Sequence, residues 1–409
     1  MGSISTDAGL VPRSPAAGPL DTRPSGRVSS WALARDGETL GAHTARQALR
    51  LCEAAELSGA DSAEYARTLL AALGPVGERS LRLPPPDASF LSDDHTPVEF
   101  SLACTPDGRP TLRVLLEPGC GAADLAANGR TGLRAVRAMA RRWGFDTSRL
   151  DELEDLFLPP DPQGPLALWC ALELVPGGVP KVKVYLNPAA SGQERSAATV
   201  REALRRLGHR RAFASLPEGD RHLFFALDLG DWDEPRVKVY LAHHDLSAAE
   251  AARLSRVDGG PGPAEIASFF RMAAGHDVEG AGAAAGPDPR LDRRPVQSCH
   301  AFTETASGRP SGFTLYVPVR DYARHDGESL DRAVAVLRRH GMDPAPLRRS
   351  LAAVTSRRLR DGVGLIAYLG LAHQEGRPPR VTTYLSSEAY EVRPPATPAA
   401  PRARARAGA

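Results

Sequence analysis

Two stretches of the chain alternate strictly between polar and aliphatic residues: Pro180-Lys181-Val182-Lys183-Val184-Tyr185-Leu186 and Pro235-Arg236-Val237-Lys238-Val239-Tyr240-Leu241. Successive side chains of a β-strand point to opposite faces. Arg236, Lys238 and Tyr240 therefore share one face, opposite Val237, Val239 and Leu241, and Lys181, Lys183 and Tyr185 repeat the arrangement. A strand of this kind needs an anion or water on its polar side.

The period-two pattern recurs in pairs. It predicts strands over 97–105 and 110–117, turning at Pro106-Asp107-Gly108, and over 167–174 and 180–187, turning at Pro176-Gly177-Gly178. Further pairs are 221–229 with 235–242, turning at Gly230-Asp231, and 299–305 with 311–318, turning around Ser307-Gly308. The last pair is 363–371 with 379–386, turning at Glu375-Gly376. Helical spacing marks 40–57, 60–73, 130–143, 147–157, 195–207, 248–256, 263–274, 328–340 and 344–359. Gly208 suits a left-handed cap, and Ser247 with Glu250 suits a capping box. The stretch 275–296, rich in Gly, Ala and Pro, reads as an exposed loop.

Five hairpins with helices between them form either an open sheet covered on one face or a barrel ringed by helices. Arg113, Lys181, Lys183, Tyr185, Arg236, Lys238, Tyr240, Thr314, Tyr316, Tyr368 and Tyr384 all fall opposite aliphatic positions. So many aromatics would be out of place on a face left in bulk water. The expected class is α+β, with ten antiparallel strands around a solvent-accessible lumen ringed by α-helices. Residues 1–28 and 394–409 lack periodicity and are expected to be a disordered leader and a disordered basic tail, with 29–393 as one domain.

Composition narrows the function. The 409 residues are 42% hydrophobic and 24% charged, as in an ordinary globular protein. A net charge of +2 gives no bulk attraction for nucleic acid or acidic membrane. No apolar run approaches the roughly 20 residues of a membrane helix, and no secretory signal opens the chain. Five scattered cysteines without a C-x-x-C pair suit reduced thiols, hence a cytoplasmic protein without a zinc site.

Cations and tyrosines spread over several strands suit a ligand with an anionic end and an unsaturated body. Lysine and arginine favour a polyanion such as a diphosphate. Tyrosine offers a hydroxyl to the phosphate and a π-face to a carbocation. An allylic diphosphate has both parts, and loss of its diphosphate leaves a cation that needs shielding from water. No D-D-x-x-D segment is present to hold magnesium, so protein cations would neutralise the leaving group.

K-x-K-x-Y-x-x-P (Lys181 to Pro188), R-x-K-x-Y (Arg236 to Tyr240), T-P-V-E-F-S (Thr96 to Ser101) and R-x-x-x-E-P (Arg113 to Pro118) resemble, in kind and in order, motifs of the dimethylallyltryptophan synthase family. These are soluble aromatic prenyltransferases with the ABBA barrel. The resemblance spans about residues 28–393. It implies a diphosphate set of Arg113, Lys183, Tyr185, Arg236, Lys238, Tyr240, Tyr316, Tyr368 and Tyr384. It also implies that Glu99 accepts a hydrogen bond from an indole N–H. Thr314 stands where many relatives place Gln or Lys. Leu168-Trp169-Cys170-Ala171 stands where the tryptophan-specific fungal enzymes place a lysine that takes the ring proton. The group removing that proton is therefore unassigned.

Other features read as structure. His243-His244-Asp245 and Cys299-His300 are neighbours on strands, so their side chains diverge, and neither makes a metal site or a nucleophile pair. Loop 275–286 lacks G-x-x-x-x-G-K-[ST] and is no nucleotide loop. Trp31, Trp143, Trp169 and Trp232 read as core or lid residues.

The expected function is metal-independent transfer of a dimethylallyl group from dimethylallyl diphosphate to an indole carbon, foremost of L-tryptophan. The alternatives are a tryptophan-containing cyclic dipeptide, another indole, tyrosine or a phenol as acceptor. A non-catalytic barrel carrying an isoprenoid or anionic lipid is the reading from another class. In each the partners are small molecules, with no nucleic acid and no membrane, and no cofactor is expected.

Overall fold

The computed structural model describes residues 37–106, 108–276 and 290–396. The leader expected over 1–28 and Trp31 lie outside them, as does the expected tail apart from 394–396. Ten strands close into an antiparallel barrel: β1 (Val98–Cys104), β2 (Thr111–Leu116), β3 (Leu168–Leu174), β4 (Lys181–Leu186), β5 (Arg221–Asp228), β6 (Val237–His243), β9 (Val296–Phe302), β10 (Gly312–Val317), β11 (Ile366–Gln374) and β12 (Arg380–Ser386). The pair β7 (Leu246–Ser247) and β8 (Arg290–Leu291) makes a small ladder outside it. Strands consecutive in the barrel are neighbours in space, and β1 pairing with β12 completes the ring, Ser101 opposite Tyr384.

Closure follows from the alternation. Val98, Phe100 and Leu102 on β1, Val182, Val184 and Leu186 on β4, and Val237, Val239 and Leu241 on β6 all face outward into one continuous core. The helices supply its other wall: α1 (Leu40–Ala54), α2 (Gly59–Leu73), α3 (Leu125–Trp143), α6 (Ser196–Arg206), α8 (Pro263–Ala274), α9 (Asp326–Arg339) and α10 (Ala345–Val354). The core is thus a sleeve between barrel and helices, and the lumen is left to polar and aromatic side chains.

Several boundaries differ from expectation for identifiable reasons. Helix α3 begins at Leu125 rather than 130 because the Asp124 carboxylate accepts from the Ala127 N–H at 2.6 Å. The helix expected over 147–157 is two single turns, α4 (Ser148–Asp151) and α5 (Glu154–Phe157), which still bury Leu150, Leu153 and Phe157. The capping box of Ser247 and Glu250 forms, yet it opens only one turn, α7 (Ala248–Ala251), before the Asp258-Gly259-Gly260-Pro261 segment.

Strand β9 starts at Val296, three residues before the expected 299. Its buried outer face there carries Ser298 and His300, which break the aliphatic pattern. Ser298 Oγ lies 2.8 Å from His243 Nε2 and 3.1 Å from His300 Nε2, so the three polar groups pair with one another, while His300 Nδ1 has no partner. His244 and Cys299 point the other way from these histidines, as the alternation requires: His244 is exposed beside Asp220, and Cys299 packs on Tyr240.

Candidate active site

The lumen divides into two chambers separated by aromatic rings. Tyr185, Tyr240, Tyr316 and Tyr384 stand in a row, with centroids 5.7, 6.0 and 5.8 Å apart in turn. Phe224 joins the row, 5.7 Å from Tyr240, and Trp169 packs on Phe224 at 5.3 Å. Inward alternation on β4, β5, β6, β10 and β12 puts one ring from each strand at a similar height. Gly370 makes room for them, since a Cβ there would stand 3.2 Å from Tyr316 Cδ1. Burial pushes every phenol of the row upward, Tyr384 to about 12, so all remain protonated.

On one side of the row, toward the hairpin turns, lies a cavity lined by Arg113, Arg236, Lys238 and Arg380 with Glu173, Cys299 and Thr314. Lys183 enters the same cluster. Its Nζ lies 3.2 Å from Asp228 Oδ1, and Arg236 Nε donates to Asp228 Oδ2 at 2.9 Å. Arg113 donates through Nε and Nη2 to Glu173 Oε2 at 2.8 and 2.6 Å. Burial works to raise both carboxyls, but the surrounding cations overcome it. Lys183, Lys238 and Arg236 hold Asp228 to about 2, and Arg113 holds Glu173 to about 2.

Lys238 differs from its neighbours. It is buried, and among the described residues it has no carboxylate within salt-bridge distance. Burial first, then Lys183 and Arg236, lower its pKa well below the ordinary lysine value.

On the other side of the row is a second cavity, lined by Glu99, Leu91, Leu115, Trp169, Gln297, Arg294, Arg320 and Tyr368 besides the row itself. Glu99, near the start of β1, is 6% exposed, and among the described residues its carboxylate has no hydrogen-bond partner. Burial raises its pKa to about 8, with Arg320 opposing the rise and Asp93 adding to it. At the rim, Asp93 Oδ1 receives Arg294 Nη2 at 3.0 Å and Arg320 Nη2 at 3.2 Å. Arg320 also covers the Tyr368 ring at 5.0 Å, and Gln297 donates to the Tyr368 hydroxyl at 3.3 Å.

The residues singled out from sequence thus fall into three layers. Arg113, Lys183, Arg236 and Lys238 come together in the cationic chamber, Tyr185, Tyr240, Tyr316 and Tyr384 form the row, and Tyr368 stands with Glu99 beyond it. Sequence reasoning passed over Asp228, Glu173, Arg380, Arg294, Arg320 and Gln297. Residues 277–289 of the expected loop 275–296 lie outside the described residues; at its described end Arg290, Asp292 and Arg293 are exposed, as expected, while Arg294 lines the second cavity. Trp232, read as core or lid, lies in the β5–β6 turn with Lys183 Nζ 4.7 Å from its ring centroid.

Comparison with known proteins places the chain among relatives. The sequence model of a family described as tryptophan dimethylallyltransferase matches residues 63–348. The fold is similar to that of the prenyltransferase PriB, solved with L-tryptophan and dimethylallyl thiolodiphosphate. The two share 61% identity over 88% of this chain and 99% of that one, with a TM-score of 0.84. It is also similar to 5-dimethylallyltryptophan synthase from Streptomyces coelicolor, at 64% identity over 88% of this chain and all of that one, TM-score 0.83. The 6-dimethylallyltryptophan synthase from Micromonospora olivasterospora, solved with a donor analogue and tryptophan, shares 44% over 87% of this chain and 99% of its own, TM-score 0.78.

Proposed function

The chain belongs to the tryptophan dimethylallyltransferase family, and we propose that it transfers a dimethylallyl group from dimethylallyl diphosphate to a carbon of the indole ring of L-tryptophan. The observation that carries this reading is the layering: a cationic chamber, a row of phenols, then a buried carboxylate without a partner.

On this reading Arg113, Lys183, Arg236 and Lys238 take the diphosphate and neutralise the charge that develops as the C–O bond breaks. Tyr185, Tyr240, Tyr316 and Tyr384 present ring faces to the allyl cation and keep water from it. Tyr368, expected from sequence among the diphosphate ligands, lines the same cavity as Glu99, and on this reading it packs beside the acceptor. Glu99 accepts the indole N–H, which raises electron density on the ring as it attacks. The Asp93, Arg294 and Arg320 cluster at the rim carries both signs of charge, as an amino-acid zwitterion does. That favours free tryptophan over a cyclic dipeptide, which lacks both charges. With protein cations neutralising the diphosphate, the reaction needs no metal. The five described cysteines are all free and buried, in keeping with work in the reducing cytoplasm.

Incubation with dimethylallyl diphosphate and L-tryptophan in excess EDTA tests this directly. A product heavier by one C5H8 unit is expected. Strict magnesium dependence would remove the metal-independent scheme, and tight donor binding with no product from any aromatic acceptor would favour a carrier.

The pH profile is a second test. Since kcat/KM reports the free enzyme, and Glu99 must be ionised to polarise the ring, its acid limb for tryptophan is expected near pH 8, following the raised carboxyl. A limb near the ordinary glutamate value of 4.5 would contradict that assignment.

A further inference from the structure

The cationic chamber contains two carboxylates that the chemistry above does not use. Asp228 is fully buried at the end of β5, bridging Lys183 and Arg236, and Glu173 on β3 engages Arg113. Trp232 lies against the same cations, its centroid 4.7 Å from Lys183, 5.3 Å from Arg236 and 5.7 Å from Lys181. Its Nε1 donates to the Val182 carbonyl at 2.8 Å. At the outer rim, Lys181 and Arg377 both turn to the exposed Asp233, at 3.5 and 3.8 Å. Inside, Arg113, Lys183, Arg236, Lys238 and Arg380 face Glu173 and Asp228. The Nε of Arg380 has no hydrogen-bond partner.

Five clustered cations, with Lys183, Arg236 and Lys238 buried and Arg113 and Arg380 half-buried, would repel one another if no counter-ion stood among them. Two carboxylates reduce the excess to three charges, close to the roughly two to three negative charges that a phosphate ester of this size brings near neutral pH. The carboxylates also occupy N–H groups that a diphosphate would otherwise use, and they repel it at short range.

We propose that Asp228 and Glu173 are resident anions that hold Arg113, Lys183 and Arg236 in place while the chamber is empty and limit their grip on diphosphate, so that the product anion can leave. They are positioning residues, acting through the cations and not on the substrate. Burial first, and then Lys183 and Arg236, lower the proton affinity of Lys238, so the neighbouring cations add to the cost of its charge even with both carboxylates present. The proposal rests on the cationic chamber being the diphosphate site.

Asp228→Asn keeps the side-chain shape and an oxygen for Arg236 while removing the charge. Titration calorimetry with inorganic diphosphate is expected to show binding tighter by about tenfold. In turnover, KM for dimethylallyl diphosphate and kcat are expected to fall together as diphosphate release slows, with stronger inhibition by added diphosphate. A merely structural role predicts looser binding. Folded D228N that binds diphosphate no more tightly than the parent overturns the proposal. If D228N does not fold, Glu173→Gln, which frees Arg113 alone, carries the same test with the same expected sign. A parent protein that binds no inorganic diphosphate would remove the chamber reading and the proposal with it. Parent binding without a gain in either variant would remove the proposal alone.

Discussion

Glu99→Gln is expected to lower the rate of prenyl transfer to tryptophan about a thousandfold while leaving the affinity for inorganic diphosphate within about twofold, the size of loss seen when one charge-stabilising group is removed from a dry site. Glutamine fills the same space and keeps an oxygen for the indole N–H. It lacks the negative charge that offsets the positive charge growing on the ring as the arenium forms. Glu99 stands beyond the row of tyrosines from the cationic chamber, so donor binding has no reason to change.

The stability of this variant carries the opposite sign. The folded carboxyl titrates at about 8, above its ordinary value of 4.5, because burial disfavours the charge. The folded state therefore holds the proton more tightly than the unfolded chain, and Glu99 costs stability increasingly as pH rises from 4.5 to 8. The Gln variant should melt with the parent near pH 4.5 and above it at pH 8 and beyond. Loss of activity together with loss of stability at pH 8 would make Glu99 a packing residue and sink its role as acceptor of the indole N–H.

Legibility in the sequence tracked strand periodicity closely. Arg236, Lys238 and Tyr240 could be placed on one face because the residues between them are Val and Leu, and the same count put Lys183 and Tyr185 beside them. Asp228 obeys the identical rule, following Phe224 and Ala226 inward on β5, yet a lone carboxylate at a strand end gives no sign of its partner. Its meaning depends on register, Lys183 opposite Asp228, which no single strand encodes. Glu173 is parallel, opposite Lys181 on β4 and Arg113 on β2. Arg320 sits in a 3-10 turn and Arg294 in the segment before β9, where no period exists to assign a face. The early start of β9 was hidden for another reason: Ser298 and His300 are polar residues on a buried face, offset by mutual hydrogen bonds. Periodicity finds elements whose faces differ in polarity. It does not find polar residues that pair with one another inside the core.

Lys238→Met is expected to raise thermal stability while lowering turnover at least about a hundredfold. Lys183 and Arg236 share Asp228, and Arg113 has Glu173, but Lys238 has no carboxylate of its own among the described residues. Burial and the two neighbouring cations make its charge costly in the empty protein. Methionine has a similar length, carries no charge and adapts to its surroundings, so removing the ammonium should raise the melting temperature by about 2 °C or more. The gain should depend on pH with a definite sign. A lysine whose folded pKa lies below 10.5 holds its proton less tightly in the folded state, so its cost is greatest when both states are charged. The advantage of methionine should therefore be largest at low pH, shrink through the folded pKa and vanish above 10.5. Turnover is expected to move the other way: on the proposed reading bound diphosphate is the counter-ion that Lys238 lacks, and without the ammonium the leaving group would lose one neutralising contact in a site that excludes water. Arg236→Met supplies the contrast: it strips Asp228 of a direct partner and should lower stability and turnover together. A K238M variant that melts below the parent and turns over normally would show that Lys238 is a structural cation, and the charge balance of the chamber would have to be redrawn without it.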